Sequence, residues 1–152
     1  MDNLAKGRLL VTIQFLLLGG LILISSEDLF LGNNTIDAIG VALELIGFVV
    51  VILGFTRLGK SLTANPVPIK GGKLTTTGIY SRVRHPIYLG LLLVTFGITL
   101  TNGSVIKFGF WILLAALLIF KIKFEESLLL KTYPGYKQYQ EKVPAIFPKF
   151  TA

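Results

Sequence analysis

Gly78-Ile79-Tyr80-Ser81-Arg82-Val83-Arg84-His85-Pro86-Ile87-Tyr88-Leu89-Gly90 is the stretch on which the reading of this chain turns. Its first half is polar and basic, its second half opens an apolar run, and it holds the only histidine, His85. A basic loop running straight into a hydrophobic segment marks a chain entering a bilayer. Proline is favoured at the first helical position because its missing N–H has no partner there, so Pro86 sets the start of that helix.

Working outward, the apolar residues gather into runs at 9–24, 36–58, 87–100 and 105–122. The chain of 152 residues is 53% hydrophobic and 15% charged, whereas an ordinary soluble domain carries about 25% charged residues. A membrane helix needs about 20 apolar residues, with a lower limit of about 17. The second and fourth runs meet this directly. The first does so once Arg8 or Ser25 is taken in at its ends, and the third once it extends over 83–101. The expected fold is all-α: an integral membrane protein with four transmembrane helices at about 8–25, 36–58, 83–101 and 104–123. Residues 1–152 form one domain, followed within it by a C-terminal helical segment over 125–148, interrupted at Pro134-Gly135. The first run is read as a retained helix and not a cleaved signal, because its apolar part is long and Ile24 is a poor cleavage-site residue. The absence of cysteine excludes thiol chemistry, and a lone histidine argues against a structural zinc site.

The net charge of +7 is distributed by topology. Lys6 and Arg8 precede the first helix; Arg57, Lys60, Lys70, Lys73, Arg82 and Arg84 lie between the second and third; six more basic residues follow from Lys121 onward. The segment after the first helix holds Glu27, Asp28 and Asp37, and only Lys107 falls on that side. The positive-inside bias then puts both termini and the loop 59–84 in the cytoplasm. The basic residues face anionic lipid head groups, and no nucleic-acid site is read. Thr101-Asn102-Gly103-Ser104 is a tight outer turn. The loop 59–84 exceeds the about 12–15 residues beyond which unstructured connections are usually functional or disordered, and it shares the cytoplasmic side with the C-terminal segment.

Arg84 and His85 stand at a helix N-terminus, where the backbone field and their own donors favour a carboxylate or phosphate; snorkelling of the arginines to lipid phosphate is the simpler alternative. All five tyrosines (Tyr80, Tyr88, Tyr133, Tyr136 and Tyr139) fall on the cytoplasmic side. An interfacial aromatic belt would populate both faces, whereas tyrosine rings gathered on one side suit a sulfonium or quaternary ammonium group. Glu125-Glu126 closes the fourth helix, with Lys121 one turn before Glu125 as an ion-pair partner. Glu44, mid-helix, calls for a polar neighbour such as Gln14 or Thr12 of the first helix, or for a function.

The ordered set Gly78-x-Tyr80-x-x-x-Arg84-His85-Pro86-x-Tyr88-x-Gly90, Glu125-Glu126, Tyr136-x-x-Tyr139 and Val143-Pro144 resembles the isoprenylcysteine carboxyl methyltransferases and the related membrane phospholipid methyltransferases. The likeness runs from about Leu58 to Pro148. It implies an S-adenosylmethionine pocket on the cytoplasmic face, roofed by the C-terminal segment, with a lipophilic or small acceptor (carboxylate, amine or thiol) arriving laterally. Carried over by position, His85, Pro86, Ile87 and Tyr88 contact the cofactor from the third helix. Lys73, Leu74, Thr75 and Tyr80 add a wall, and Glu125 binds from the fourth helix. Arg84 is the candidate orienting or electrostatic residue. Lys121 stands where the carboxyl methyltransferases carry a substrate-binding arginine, and an ammonium lacks arginine's planar two-point grip on a carboxylate. The resemblance implies the plasma membrane in a prokaryote or the endoplasmic reticulum in a eukaryote. Two other readings compete. A sterol-type NADPH membrane reductase tends to have asparagine where Ile87 stands. A small four-helix proton-coupled exporter would use Glu44 but needs neither the basic loop nor the tyrosine-rich tail.

Overall fold

Four long helices begin where short polar side chains or a proline can take the place of missing backbone partners. Asp2 caps α1 (Asn3–Leu23) by accepting from the Ala5 amide at 2.6 Å. Asn33 caps α2 (Asn34–Leu58) through the Ile36 amide at 2.9 Å. Pro86 opens α3 (Pro86–Asn102), and Ser104 caps α4 (Val105–Thr132). A short α5 (Tyr136–Lys142) follows. The computed structural model describes residues 2–25, 33–68 and 71–147, except the side chain of Lys60. Glu27, Asp28, Lys70 and Pro148, used in the charge and tail readings above, lie outside the described residues.

No strand occurs among the described residues. α1, α2 and α4 are long and apolar enough to span a bilayer, and α3, an apolar helix of 17 residues, sits at the lower limit. The protein is therefore an all-α integral membrane protein, as the sequence predicts. Its boundaries differ in instructive ways. α1 starts at Asn3 and not near residue 8, because Asp2 is a competent cap. α3 starts at Pro86, where the proline itself points, and the apolar span does not extend back to residue 83. α4 runs on to Thr132 and not 123, so Glu125 and Glu126 lie within the helix and not at its exit. The break at Pro134-Gly135 is present, between α4 and α5.

The helices are antiparallel neighbours in the order α1, α4, α3, α2. α2 and α3 pack closely along glycines: a Cβ at Gly47 would lie 2.7 Å from the Gly90 carbonyl, and one at Gly97 would lie 2.5 Å from the Gly40 carbonyl. Small residues let two helix backbones approach like this in a membrane. The tight turn joins α3 to α4 through Gly103, whose φ of 57° is one that L side chains rarely adopt. Trp111 reinforces that hairpin, donating from Nε1 to the Leu92 carbonyl at 3.1 Å. α1 lies on α4, with Gly20 against the Phe110 ring, and makes no extended contact with α2. Glu44 finds its partner on α3, accepting from Thr101 Oγ1 at 3.3 Å, and not on α1. Gln14 is engaged elsewhere, by Lys121.

Candidate active site

Glu126 is the hub of the region where α3 begins and α4 meets the tail. Its Oε1 accepts from Arg84 Nε at 2.8 Å and Nη2 at 2.7 Å, and lies 3.0 Å from His85 Nε2. Its Oε2 accepts from Gln140 Nε2 of α5 at 2.8 Å. The remaining Arg84 nitrogen donates to the Gln140 carbonyl at 2.9 Å and also to that of Val143. The backbone joins in: the Arg84 and His85 amides donate to the Pro144 and Ala145 carbonyls, both at 2.9 Å. The donors that the sequence offers to an anionic ligand are thus engaged by the protein's own carboxylate and tail. Arg84 and His85 act here as the clamp that holds residues 140–145 against the bundle.

One residue earlier, Glu125 turns a different way. Its Oε2 accepts from Tyr88 Oη at 2.8 Å and lies 3.9 Å from His85 Nδ1, while its Oε1 has no hydrogen bond among the described residues. The His85 and Tyr88 rings stack, 4° from parallel with centroids 5.5 Å apart. Lys121 is fully buried (1% exposed) and does not pair with Glu125 as its spacing suggests. Its ammonium donates to Gln14 Oε1 at 2.6 Å and to the Ala64 carbonyl at 3.5 Å, and sits 5.1 Å from the Tyr88 ring centroid. The helix places Lys121 toward α1 and the loop, and those neutral acceptors reach it first.

The loop folds inward over this cluster. Asn65 sits on α1, where a Cβ on Gly7 would strike its Oδ1. Further on, Gly78 takes a φ of 65° and starts the 3-10 turn that buries Tyr80. The Tyr80 hydroxyl reaches the Gly54 carbonyl at 3.5 Å, and its own carbonyl accepts from Tyr139 Oη at 2.6 Å. Tyr136 is 1% exposed and its hydroxyl has no hydrogen-bond partner in good geometry among the described residues. Burial raises the Tyr139 hydroxyl to about 12, with Arg84 opposing and Glu126 assisting. Burial, then Glu125, push Tyr80 up further; burial, then Glu126, do the same for Tyr136. All three are neutral phenols, and therefore donors, at physiological pH.

These elements enclose one cavity of about 430 Å³, within the 300–1,000 Å³ range of small-molecule sites. Lys73, Leu74, Thr75 and Tyr80 line it from the loop. Arg84, His85, Ile87 and Tyr88 do so from the start of α3, and Lys121 and Glu125 from α4. Pro86 does not line it; it is buried beside Gly54 of α2. Tyr133, and Tyr136 and Tyr139 of α5, which the sequence groups only as tyrosines on one side, join them, as does Gln14 of α1, which the sequence reading did not assign to the site. Away from this polar end the cavity continues between apolar side chains, Phe15 and Leu18 of α1, Val51 and Phe55 of α2, and Leu91 of α3. Among the described residues no cluster of three His, Asp or Glu side chains is placed to hold a metal ion.

A membrane helix bundle with a two-ended cavity, polar beneath its tail and apolar between its helices, is the class of protein that the fold and site define. The phospholipid methyltransferase family matches residues 36–135, which takes in nearly all of α2, then α3, α4 and the cavity lining between them, and the chain belongs to that family. It is 33% identical over 89 residues to the nickel-cobalt-cadmium resistance protein NccN of Alcaligenes xylosoxydans xylosoxydans, covering 54% of this chain and 39% of that one. It is 30% identical over 87 residues to the cobalt-zinc-cadmium resistance protein CzcN of Cupriavidus metallidurans, covering 54% and 38%. To the protein-S-isoprenylcysteine O-methyltransferase of Schizosaccharomyces pombe it is 35% identical over 81 residues, covering 49% and 33%. The matches thus span well under half the length of these relatives.

Proposed function

We propose that this chain is an S-adenosylmethionine-dependent membrane methyltransferase acting on a lipophilic or small acceptor whose reacting group is a carboxylate, amine or thiol. The observation that carries the reading is the cavity itself. Among the described residues its polar end offers a carboxylate oxygen with no hydrogen bond, Glu125 Oε1, and a buried hydroxyl with no partner in good geometry, Tyr136 Oη. Its apolar end is lined by side chains of the apolar helices α1, α2 and α3. The residues present fit the cofactor: tyrosine faces suit a sulfonium, and Glu125 can accept from ribose hydroxyls. S-adenosylmethionine supplies an electrophilic methyl group when bound. The chain's own task is then to position and to exclude water, which is most of what an in-line displacement needs. The tail clamp of Glu126 and Arg84 roofs the polar end, and the inward loop, fastened at Ala64 by Lys121, closes its side. For an amine or thiol acceptor, His85 is the available base. Glu126 makes Nε2 the protonated nitrogen, which leaves Nδ1 to take the proton.

Calorimetric titration of the detergent-purified protein tests this reading. S-adenosylhomocysteine is expected to bind with micromolar affinity and NADPH not at all. Glu125→Ala should weaken the former by about tenfold or more, the loss expected for a hydrogen bond to a charged group. Clear NADPH binding with no S-adenosylhomocysteine binding would sink it.

The same reading places the polar end of the cavity in the cytoplasm, following the basic residues. Because the chain has no cysteine, single-cysteine variants report sidedness cleanly. An impermeant maleimide applied to intact cells is expected to label Val105→Cys, at the tight turn, and to leave Lys131→Cys unlabelled. The reverse pattern would invert the topology.

A further inference from the structure

Tyr136 is 1% exposed, yet its hydroxyl finds no hydrogen-bond partner in good geometry among the described residues, although the Glu126 carboxylate lies near enough to act on it. Gly135 precedes it at the start of α5, and its amide donates to the Tyr133 carbonyl at 3.0 Å. Its ring meets that of Tyr139 edge to face at 5.9 Å, and Tyr139 is itself tied to the Tyr80 carbonyl. The nearby Glu126 carboxylate already accepts from Arg84 and Gln140 and lies 3.0 Å from His85 Nε2. A buried hydroxyl without a partner costs free energy, and buried polar groups are normally satisfied. Here the residue lines the cavity, so a ligand atom is the natural partner.

The surroundings restrict what that atom is. Glu125 and Glu126 both act on the Tyr136 hydroxyl, and together they outweigh Arg84 in keeping its proton on. An anionic group would meet their charge, whereas a neutral lone pair would not. Tyr80, Tyr133 and Tyr139 line the same cavity and offer flat apolar faces suited to an aromatic ring. We propose that Tyr136 is a binding residue for the nucleoside half of the methyl donor, its Oη–H donating to a ring nitrogen of the purine.

This inference rests on the S-adenosylmethionine reading above, and its test separates the two. Tyr136→Phe removes one oxygen and keeps the ring. In calorimetry it is expected to weaken S-adenosylhomocysteine and 5′-methylthioadenosine, which lacks the amino-acid half, by the same factor of roughly ten. Without ligand, thermal unfolding of the variant should be unchanged or shifted upward, because an unsatisfied buried group has been removed. A loss confined to S-adenosylhomocysteine would assign the hydroxyl to the carboxylate end and overturn the proposal. So would undiminished affinity for both ligands, or a fall in ligand-free stability that accounts for the weakening. If the unaltered protein binds neither ligand, the cofactor reading itself fails and takes this inference with it.

Discussion

Replacing Glu126 by alanine is expected to release residues 136–145 from the bundle and with them the ability to bind ligand. The carboxylate gathers the Arg84 guanidinium, the His85 ring and the Gln140 amide, at 2.7 to 3.0 Å. Arg84 and Glu126 are largely shielded, with side chains 9% and 12% exposed. Removing one member of a buried pair leaves the other charge without compensation, at a cost of about 3–5 kcal/mol. The loss spreads because the same guanidinium holds the Gln140 and Val143 carbonyls. Glu126→Gln keeps the volume and one acceptor oxygen but not the charge, and should fall between the alanine variant and the parent. Trypsin reads the outcome directly: cleavage after Lys137 and Lys142 should become fast in Glu126→Ala. Glu125→Ala, one residue away, should keep the protease protection and lose only affinity. Equal protection in both variants would refute the clamp.

That contrast between adjacent carboxylates shows where the sequence stops being legible. Glu125-Glu126 stands out in a chain poor in acids, yet successive helical residues point about 100° apart, and nothing in the pair says which side chain faces the cavity. The answer depends on Arg84, 42 positions before Glu126, and on Gln140, 14 after it. The number and order of membrane helices, by contrast, follow from run length and charge placement, which are local properties. Of the residues singled out between Gly78 and Gly90, Tyr80, Arg84, His85, Ile87 and Tyr88 line the cavity, and Pro86 does not; its part is to begin α3. Lys121 defeated the spacing rule because Gln14 and Ala64, from distant parts of the chain, approach it before Glu125 does. One signal was present and went unread. Gly40, Gly47 and Gly54 recur at intervals of seven, as do Gly90 and Gly97.

Those glycines carry the second large effect, a collapse of α2–α3 packing in Gly47→Leu. Any Cβ at this position would sit 2.7 Å from the Gly90 carbonyl oxygen and 2.8 Å from the Val94 amide nitrogen. Both are backbone atoms, so no rotamer change relieves the clash and the helices must separate. Alanine alone sets two terms against each other. Helix propensity favours alanine over glycine by about 1 kcal/mol, whereas overpacking costs about 1–3 kcal/mol, so Gly47→Ala should range from neutral to clearly destabilising. Leucine adds three further carbons with nowhere to go, and separation of the helices would also widen the site, because Gly54 of the same helix packs on Ile87 and Pro86 where α3 begins. Gly47→Leu is therefore expected to lower both the thermal midpoint in detergent and ligand affinity. Gly19 and Gly109 provide the internal comparison, since a Cβ at either has nothing within 4 Å. Alanine there gains propensity without a clash and should leave the midpoint unchanged or raise it. If Gly47→Leu unfolds at the same temperature as Gly19→Ala, the close approach of α2 and α3 is wrong, and the placement of Ile87 and Tyr88 at the cavity is wrong with it.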